Sequence, residues 1–447
     1  MCGWPRMRRN VDNGCPVTTL NDCCRTTWGL RGMANRRLRV LVVASHPVQY
    51  AAPFFRNFSQ RLGVELTVAY CSLRGAEGGY DPEFRTNVSW DIPLLDGYRW
   101  IQVKNRALSR NEEKFFGLCN PGLWKLARSG EFDAVISYLG YRRVSFWFAL
   151  LAAKMRGIPV LFGTDASTMA PREGKLWKRI TNRLAKKFVW RAVFGLADQI
   201  LTPSTTGAEM MASLGFPRER ISMTPYAVDN EWWLTRAALV DRKETRRLWG
   251  VAAEEKVVLF SAKLQPWKRP QDLLEALARV EMPTVRLVFA GDGPLRAEVE
   301  ERAKALGIES RVKFLGFVNQ TKLPAVYASA DLLVLPSEYD AFGLVVNEAM
   351  LCGCPVLASD RVGAVRDLIE DGRTGYVYAC GNADELAKTI SRILSHPEKS
   401  SEVAREAKKR IENWSYKEAI DNTIEGLQRA IARKQRRAGL EKEASPT

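Results

Sequence analysis

Short apolar runs recur along the chain, each giving way to a polar or glycine-bearing loop and then to a segment of helical length. Leu38 to Ala44, Val64 to Cys71, Ala134 to Tyr138, Val160 to Gly163 and Gln199 to Thr202 read as strands. Lys256 to Phe260, Val285 to Ala290, Arg311 to Val318 and Leu332 to Leu335 continue the series. Val144 to Arg156, Asp241 to Trp249, Ala383 to Ser395, Glu402 to Asn413 and Lys417 to about Arg433 have helical length and pattern. This alternation predicts an α/β fold with parallel sheets covered by helices on both faces. Residues 74–120 break the rhythm with Gly-Gly-Tyr, Asp-Pro, Asp-Gly-Tyr and Asn-Pro turns, and read as an irregular insert. Residues 1–36, rich in Arg, Asn, Thr and Cys without periodicity, and the charged tail 434–447 are expected to be disordered. Met1, Met7 and Met33 are all compatible translation starts.

The stretch from Asp331 to Ser359 carries the most chemistry. Its apolar run Leu332 to Leu335 ends at Pro336-Ser337, as a buried strand entering a loop does. Gly343 lets the backbone approach a ligand, and Leu344 to Leu351 reads as the next helix, closed by Gly353 and Pro355. Unpaired N–H groups at a helix start suit a phosphate, and nearby carboxylates accept hydrogen bonds from hydroxyls. Phosphate plus polyol points to a nucleotide sugar.

Asp340, seven residues and Glu348 resemble the donor-site signature of glycosyltransferase family 4, where a glutamate, seven residues and a second glutamate are usual. Asp340 is one methylene shorter than the family's residue, and Glu338 stands out of register as a solvated loop carboxylate. The resemblance implies a retaining enzyme of GT-B fold: two Rossmann-like doubly wound domains facing a cleft, with a C-terminal helix returning to the first. It implies that Glu348 holds the donor ribose and that Asp340 faces the sugar or its phosphates. Ser261-Ala-Lys263 to Lys268-Arg269-Pro270 matches the place where the family grips the donor diphosphate with an Arg and, five residues on, a Lys. Lys263 stands for the Arg and supplies charge without a bidentate fork, while Arg269 replaces a usual glycine. Gly291-Asp-Gly293 precedes a helix as in the family, but the third glycine of a dinucleotide fingerprint is missing and Arg296 holds its place. Gly316, Phe317 and Val318 are expected at the nucleobase, read largely through backbone groups, so UDP, GDP and ADP donors stay open; Phe342, Gly343 and Leu344 complete the donor set.

Ser45-His46-Pro47 to Arg56 resembles the first loop and helix of a subset of these enzymes, in which the N-terminal domain faces the acceptor. His46, at the carboxyl end of the first strand, either touches substrate or is a loop imidazole bonded to nearby backbone. Asp165, in Gly163-Thr-Asp-Ala-Ser167, is an acceptor-binding residue or base, or else a strand-end turn residue. With Asp340 these form the candidate catalytic set. Met223-Thr-Pro225-Tyr-Ala-Val-Asp229-Asn resembles the family's domain crossing. The implied division is 37–228 for the acceptor-side domain, 229–415 for the nucleotide-sugar domain and 416–433 for the returning helix.

Composition adds little beyond this frame. The chain has 447 residues, enough for two domains, with 46% hydrophobic and 26% charged residues. The longest apolar run, Val144 to Ala153, is too short to span a bilayer, and no secretory leader is evident, so the expected location is the cytoplasm. Nine cysteines show no zinc-type spacing; Cys352 and Cys354 read as small buried residues rather than metal ligands. A net charge of +17 attracts anions without choosing among them, and no groove-reading motif supports specific nucleic-acid binding. Residues 172–191 place Leu176, Ile180, Leu184 and Phe188 among the basic residues Lys175, Lys178, Arg179, Arg183, Lys186, Lys187 and Arg191, which suits either an ordinary domain helix or peripheral contact with an anionic membrane.

The expected activity is retaining, metal-independent transfer from a nucleotide sugar to a glycan, lipid-linked or small-molecule acceptor, as in polysaccharide biosynthesis. The donor is a substrate, and no cofactor or metal is expected, since no Asp-x-Asp clamp is present. The alternative is a GT-B protein that binds nucleotide but has altered or lost transfer, epimerase-like or binding-only.

Overall fold

The computed structural model describes residues 36–81, 83–108, 111, 112, 114–167 and 176–443, with side chains described outside 176–185 and 440–443. In chain order the first nine strands are β1 (Leu38–Ala44), β2 (Val64–Tyr70), β3 (Gly79–Asp81), β4 (Thr86–Val88), β5 (Arg99–Gln102), β6 (Ala134–Ser137), β7 (Val160–Gly163), β8 (Gln199–Thr202) and β9 (Ile221–Met223). All but β3 and β4 form one parallel sheet in the order β5-β2-β1-β6-β7-β8-β9; β3 and β4 make a separate antiparallel hairpin. The second half supplies β10 (Lys256–Ser261), β11 (Val285–Ala290), β12 (Val312–Gly316), β13 (Leu332–Leu335), β14 (Val356–Ser359) and β15 (Tyr376–Tyr378). They form a parallel sheet in the order β12-β11-β10-β13-β14-β15.

Both sheets are doubly wound, which is why their strands read as unbroken apolar runs: Val40 to Val43 and Leu332 to Val334 are wholly buried. In each sheet the strand order reverses beside its first strand, between β1 and β6 and between β10 and β13. Loops leaving such a switch point diverge and open a crevice at the carboxyl ends of the strands.

The halves share one apolar cluster that includes Val42, Trp233, Leu259, Phe342, Trp414 and Leu427. The chain crosses at Tyr226, whose carbonyl accepts from Trp414 Nε1 at 2.6 Å and Asn347 Nδ2 at 3.0 Å. Asp229 then caps the helix Asn230–Ala238, accepting from the Trp232 N–H at 3.1 Å. The last helix returns to the first sheet, where Asn422 donates to the Met223 carbonyl at 2.8 Å and Gly426 lies so close to Ser222 that a Cβ would stand 2.8 Å from its Oγ.

Three expectations need correction. The insert is not wholly irregular: Arg99–Gln102 joins the main sheet as an edge strand, too short and too exposed to show an apolar run. The helix expected at Glu402 begins at Pro397, which suits a first helical turn because its missing N–H has no intrahelical partner there. The final helix runs through Glu443 rather than ending near Arg433, because Arg433 and Lys434 still pack on the first half, donating to the Asp198 and Ile158 carbonyls. The disorder expected for residues 1–35 and 444–447 lies outside the described residues.

Candidate functional site

The switch point of the second sheet builds one wall of a cleft of about 650 Å³, and residues of the first half, among them Tyr50, Arg56 and Asp165, build the other. From the end of β13 the chain passes through Asp340 to Gly343 and into the helix Val345–Leu351. Gly343 has φ +95°, a left-handed conformation that a side chain strains, and a Cβ there would meet Val362 at 3.0 Å. The loop is braced from below by 362–364: the Gly363 N–H donates to the Asp340 carbonyl at 3.1 Å and the Ala364 N–H to the Phe342 carbonyl at 2.7 Å. Gly363 allows that approach, since a Cβ would lie 2.3 Å from the Ala341 carbonyl oxygen.

Glu348 reaches the cleft from the helix while remaining only 9% exposed. Tyr327 Oη donates to its carboxylate at 2.7 Å and lies 2.9 Å from Ser261 Oγ, which must donate in turn because the phenol has a single proton. Burial pushes the Glu348 carboxyl up to about 7, against the opposing pull of the Tyr327 hydrogen bond. Tyr327 and Ser261 were not legible as site residues, being remote in sequence from Glu348 and joined to it only across the sheet.

Lys268, at the end of a short turn after β10, forms an ion pair with Asp340, and both side chains are mostly buried. Arg269 has φ +50°, which accounts for the glycine usual at this place; its guanidinium turns away to Asp272 at 2.8 Å. Lys263 also lines the cleft, but its ammonium is held by Glu83, lies 3.6 Å from Asp81 and sits 4.5 Å from the centre of the Phe84 ring. The Gly291-Asp-Gly293 turn packs under this lysine's loop: a Cβ on Gly291 would fall 2.0 Å from the Ala262 carbonyl oxygen, and Leu264 N–H donates to the Asp292 carbonyl at 2.9 Å. The glycine pair therefore sets the height of the Lys263 loop.

Not every expected residue meets in this cleft. Gly316, Phe317 and Val318 do not line it, whereas Gln320 does. Phe317 instead faces Phe84 at 4.9 Å and Trp90 at 5.8 Å, both edge-on. Phe342 and Leu344 do line it, Phe342 being stacked on Trp414 at 5.9 Å. His46 lines a second cavity of about 410 Å³ in the first half, with Ser45 Oγ 3.1 Å from its Nδ1. Burial lowers its pKa, so the imidazole is neutral near pH 7. Asp165, Tyr50, Tyr226 and Tyr416 line both cavities and so frame their junction. On the helix Leu176–Gly195, the basic residues before 186 lie outside the described side chains; Phe188 is 75% exposed. Among the described residues no helix is long and apolar enough to cross a membrane.

Comparison with known proteins assigns the family. Residues 56–232 match the family model for Glycosyltransferase Family 4, and residues 241–410 that for Glycosyl transferases group 1. A D-inositol 3-phosphate glycosyltransferase of Rhodococcus jostii is 30% identical over 434 residues, covering 89% of this chain and 90% of that protein. The chain belongs to the group 1, family 4 glycosyltransferases. This glycosyltransferase is also 28% identical over 264 residues to an alpha-D-kanosaminyltransferase of Streptomyces kanamyceticus, covering 58% of this chain and 68% of that one. Its fold is GT-B: Anabaena HepE, solved with UDP and glucose, superimposes with a TM-score of 0.66 at 20% identity, covering 88% of this chain and all of that one. The relatives are named as transferases, which favours glycosyl transfer over the epimerase-like and binding-only alternatives.

Proposed function

We propose that this glycosyltransferase moves a hexosyl unit from a nucleoside-diphosphate sugar, with UDP the first nucleotide to test, to a hydroxyl of a glycan, lipid-linked or small-molecule acceptor, with retention of configuration. The observation that carries this reading is the convergence of Lys263, Lys268, Asp340 and Glu348 on one cleft whose opposite wall bears Asp165. In this reading the two lysines and the backbone around Gly343 take the charge of the departing diphosphate, and no resident metal or cofactor is required. Glu348, when ionised, accepts hydrogen bonds from the ribose hydroxyls, and the Tyr327 hydrogen bond favours that form against the effect of burial. The acceptor occupies the cavity that holds His46 and presents its hydroxyl at the junction beside Asp165. The leaving phosphate takes the acceptor proton on the same face that the nucleophile attacks. Closure of the two halves excludes water that would otherwise hydrolyse the donor.

The test is incubation with UDP-, GDP- and ADP-sugars and a panel of acceptors after removal of divalent ions, following the anomeric proton of the product by NMR. An α-linked product from an α-linked donor supports the reading; an inverted product, or turnover that depends strictly on a divalent ion, overturns it.

The same enzyme is proposed to rest on an anionic membrane surface. Phe116 and Phe188 are 65% and 75% exposed, and their chain neighbours Phe115 and Val189 line a surface hollow of about 580 Å³ together with Lys114 and Arg142. Salt-sensitive sedimentation with phosphatidylglycerol vesicles, lost in Phe116→Ser/Phe188→Ser, supports this contact; equal binding to neutral vesicles counts against it.

A further inference from the structure

The segment from β3 to Asp91 belongs by sequence to the first half, yet its contacts are with the second. Asp91 accepts from the Thr321 N–H at 3.1 Å and from its hydroxyl, and donates its own N–H to Asn319 Oδ1 at 3.3 Å. Asn319 Nδ2 donates to the Ser89 carbonyl at 2.6 Å. At the other end of the segment, Glu83 and Asp81 hold the Lys263 ammonium above the Phe84 ring. Between these points Phe84 and Trp90 enclose Phe317. The segment is thus a strap across the loop that follows β12, clasped at Asp91 and latched at Lys263. Its hairpin has little core of its own, with Tyr80 59% exposed, so the latch is a substantial part of what holds its tip.

Resting on the reading of the cleft as a nucleotide-sugar site, we propose that Asp81 and Glu83 set donor affinity by competing with the donor diphosphate for Lys263. The Lys263 side chain is 26% exposed, and two carboxylates already occupy the surroundings of its ammonium. A diphosphate carries equivalent negative charge to the same ammonium, and like charges at that spacing repel. Donor entry therefore exchanges two intramolecular ion pairs for phosphate contacts and moves the hairpin tip aside, while the Asp91 clasp keeps the strap over the site. The two carboxylates act through Lys263 and are positioning residues, not catalytic ones.

The experiment is calorimetric titration of the wild type, Glu83→Gln, Glu83→Asp and the double variant Asp81→Asn/Glu83→Gln with UDP, GDP, ADP and the three parent nucleosides. The expected result is that the double variant binds the preferred diphosphate several-fold more tightly than the wild type, with the nucleoside affinity unchanged and Glu83→Asp close to wild type. A merely structural strap would shift diphosphate and nucleoside together. Glu83 is 53% exposed on its side chain, so Glu83→Gln keeps the test available should the double variant not fold. Unchanged or weaker diphosphate binding in folded variants overturns the competition while leaving the donor site intact. Failure of the wild type to bind any diphosphate overturns the donor reading itself, and the latch with it.

Discussion

Replacing Glu348 with glutamine should stabilise the enzyme at alkaline pH while weakening donor binding. The carboxyl is 9% exposed and burial lifts it from 4.5 to about 7, so the folded protein keeps its proton to a higher pH than the unfolded chain does. Below the unfolded value both states are protonated and burial of the ionised form costs nothing. As pH rises from 4.5 to about 7 the unfolded chain ionises first, stability falls, and above that window the whole difference is felt. At about 1.4 kcal/mol per pH unit the interval corresponds to ~3 kcal/mol. Glutamine carries no charge and keeps an acceptor for Tyr327, so the hydrogen bond survives the change. Urea unfolding of both proteins should show a gain of ~3 kcal/mol for the variant at about pH 8.5 and little at about pH 5. An equal gap at both pH values, or a variant less stable than wild type at the higher one, would refute the reasoning.

Three further outcomes follow from the same geometry. Tyr327→Phe removes the hydrogen bond that pulls the Glu348 carboxyl down, so the pH at which donor binding reaches its alkaline plateau should move upward in calorimetric titrations. Gly291→Ala sets a Cβ 2.0 Å from the Ala262 carbonyl oxygen, so the Lys263 loop must shift. That variant is expected to lose ~2 kcal/mol in urea unfolding and to bind diphosphate more weakly. Lys268→Met leaves the mostly buried Asp340 without its ion pair. It should lower stability by ~2 kcal/mol by thermal unfolding and cut kcat at least a hundredfold by product release.

What the sequence made legible, and what it hid, divides along physical lines. Short apolar runs with nothing polar inside them, such as Val40–Ala44 and Leu332–Leu335, read as buried strands, and the two sheets formed where those runs lie. Spacing within one segment also carried: Asp340 and Glu348 sit on a loop and the helix it feeds, and Lys268 comes from the neighbouring strand end, so the switch point brings them to one cleft. Hidden were the features that depend on pairs remote in the chain. The Ser261–Tyr327–Glu348 relay spans three elements, and no local pattern links them. Residues 79–91 of the insert carry no core pattern because Asp91, Phe84 and Glu83 dock on the second half, a pairing that no local sequence signal marks. The edge strand Arg99–Gln102 escaped because exposure removes the apolar signal that marks a central strand.

The central claim, that the cleft bearing Lys268 and Glu348 is a nucleotide-sugar donor site, is tested most directly by thermal unfolding with UDP-, GDP- and ADP-sugars, each at one fixed excess. Wild type, Lys268→Ala and Glu348→Ala should be compared side by side, since a ligand that binds the folded state raises its melting temperature by mass action. The account predicts that at least one nucleotide sugar raises the melting temperature of the wild type and that both variants lose the response. A wild type indifferent to every nucleotide sugar, or variants that respond as fully as it does, would contradict it.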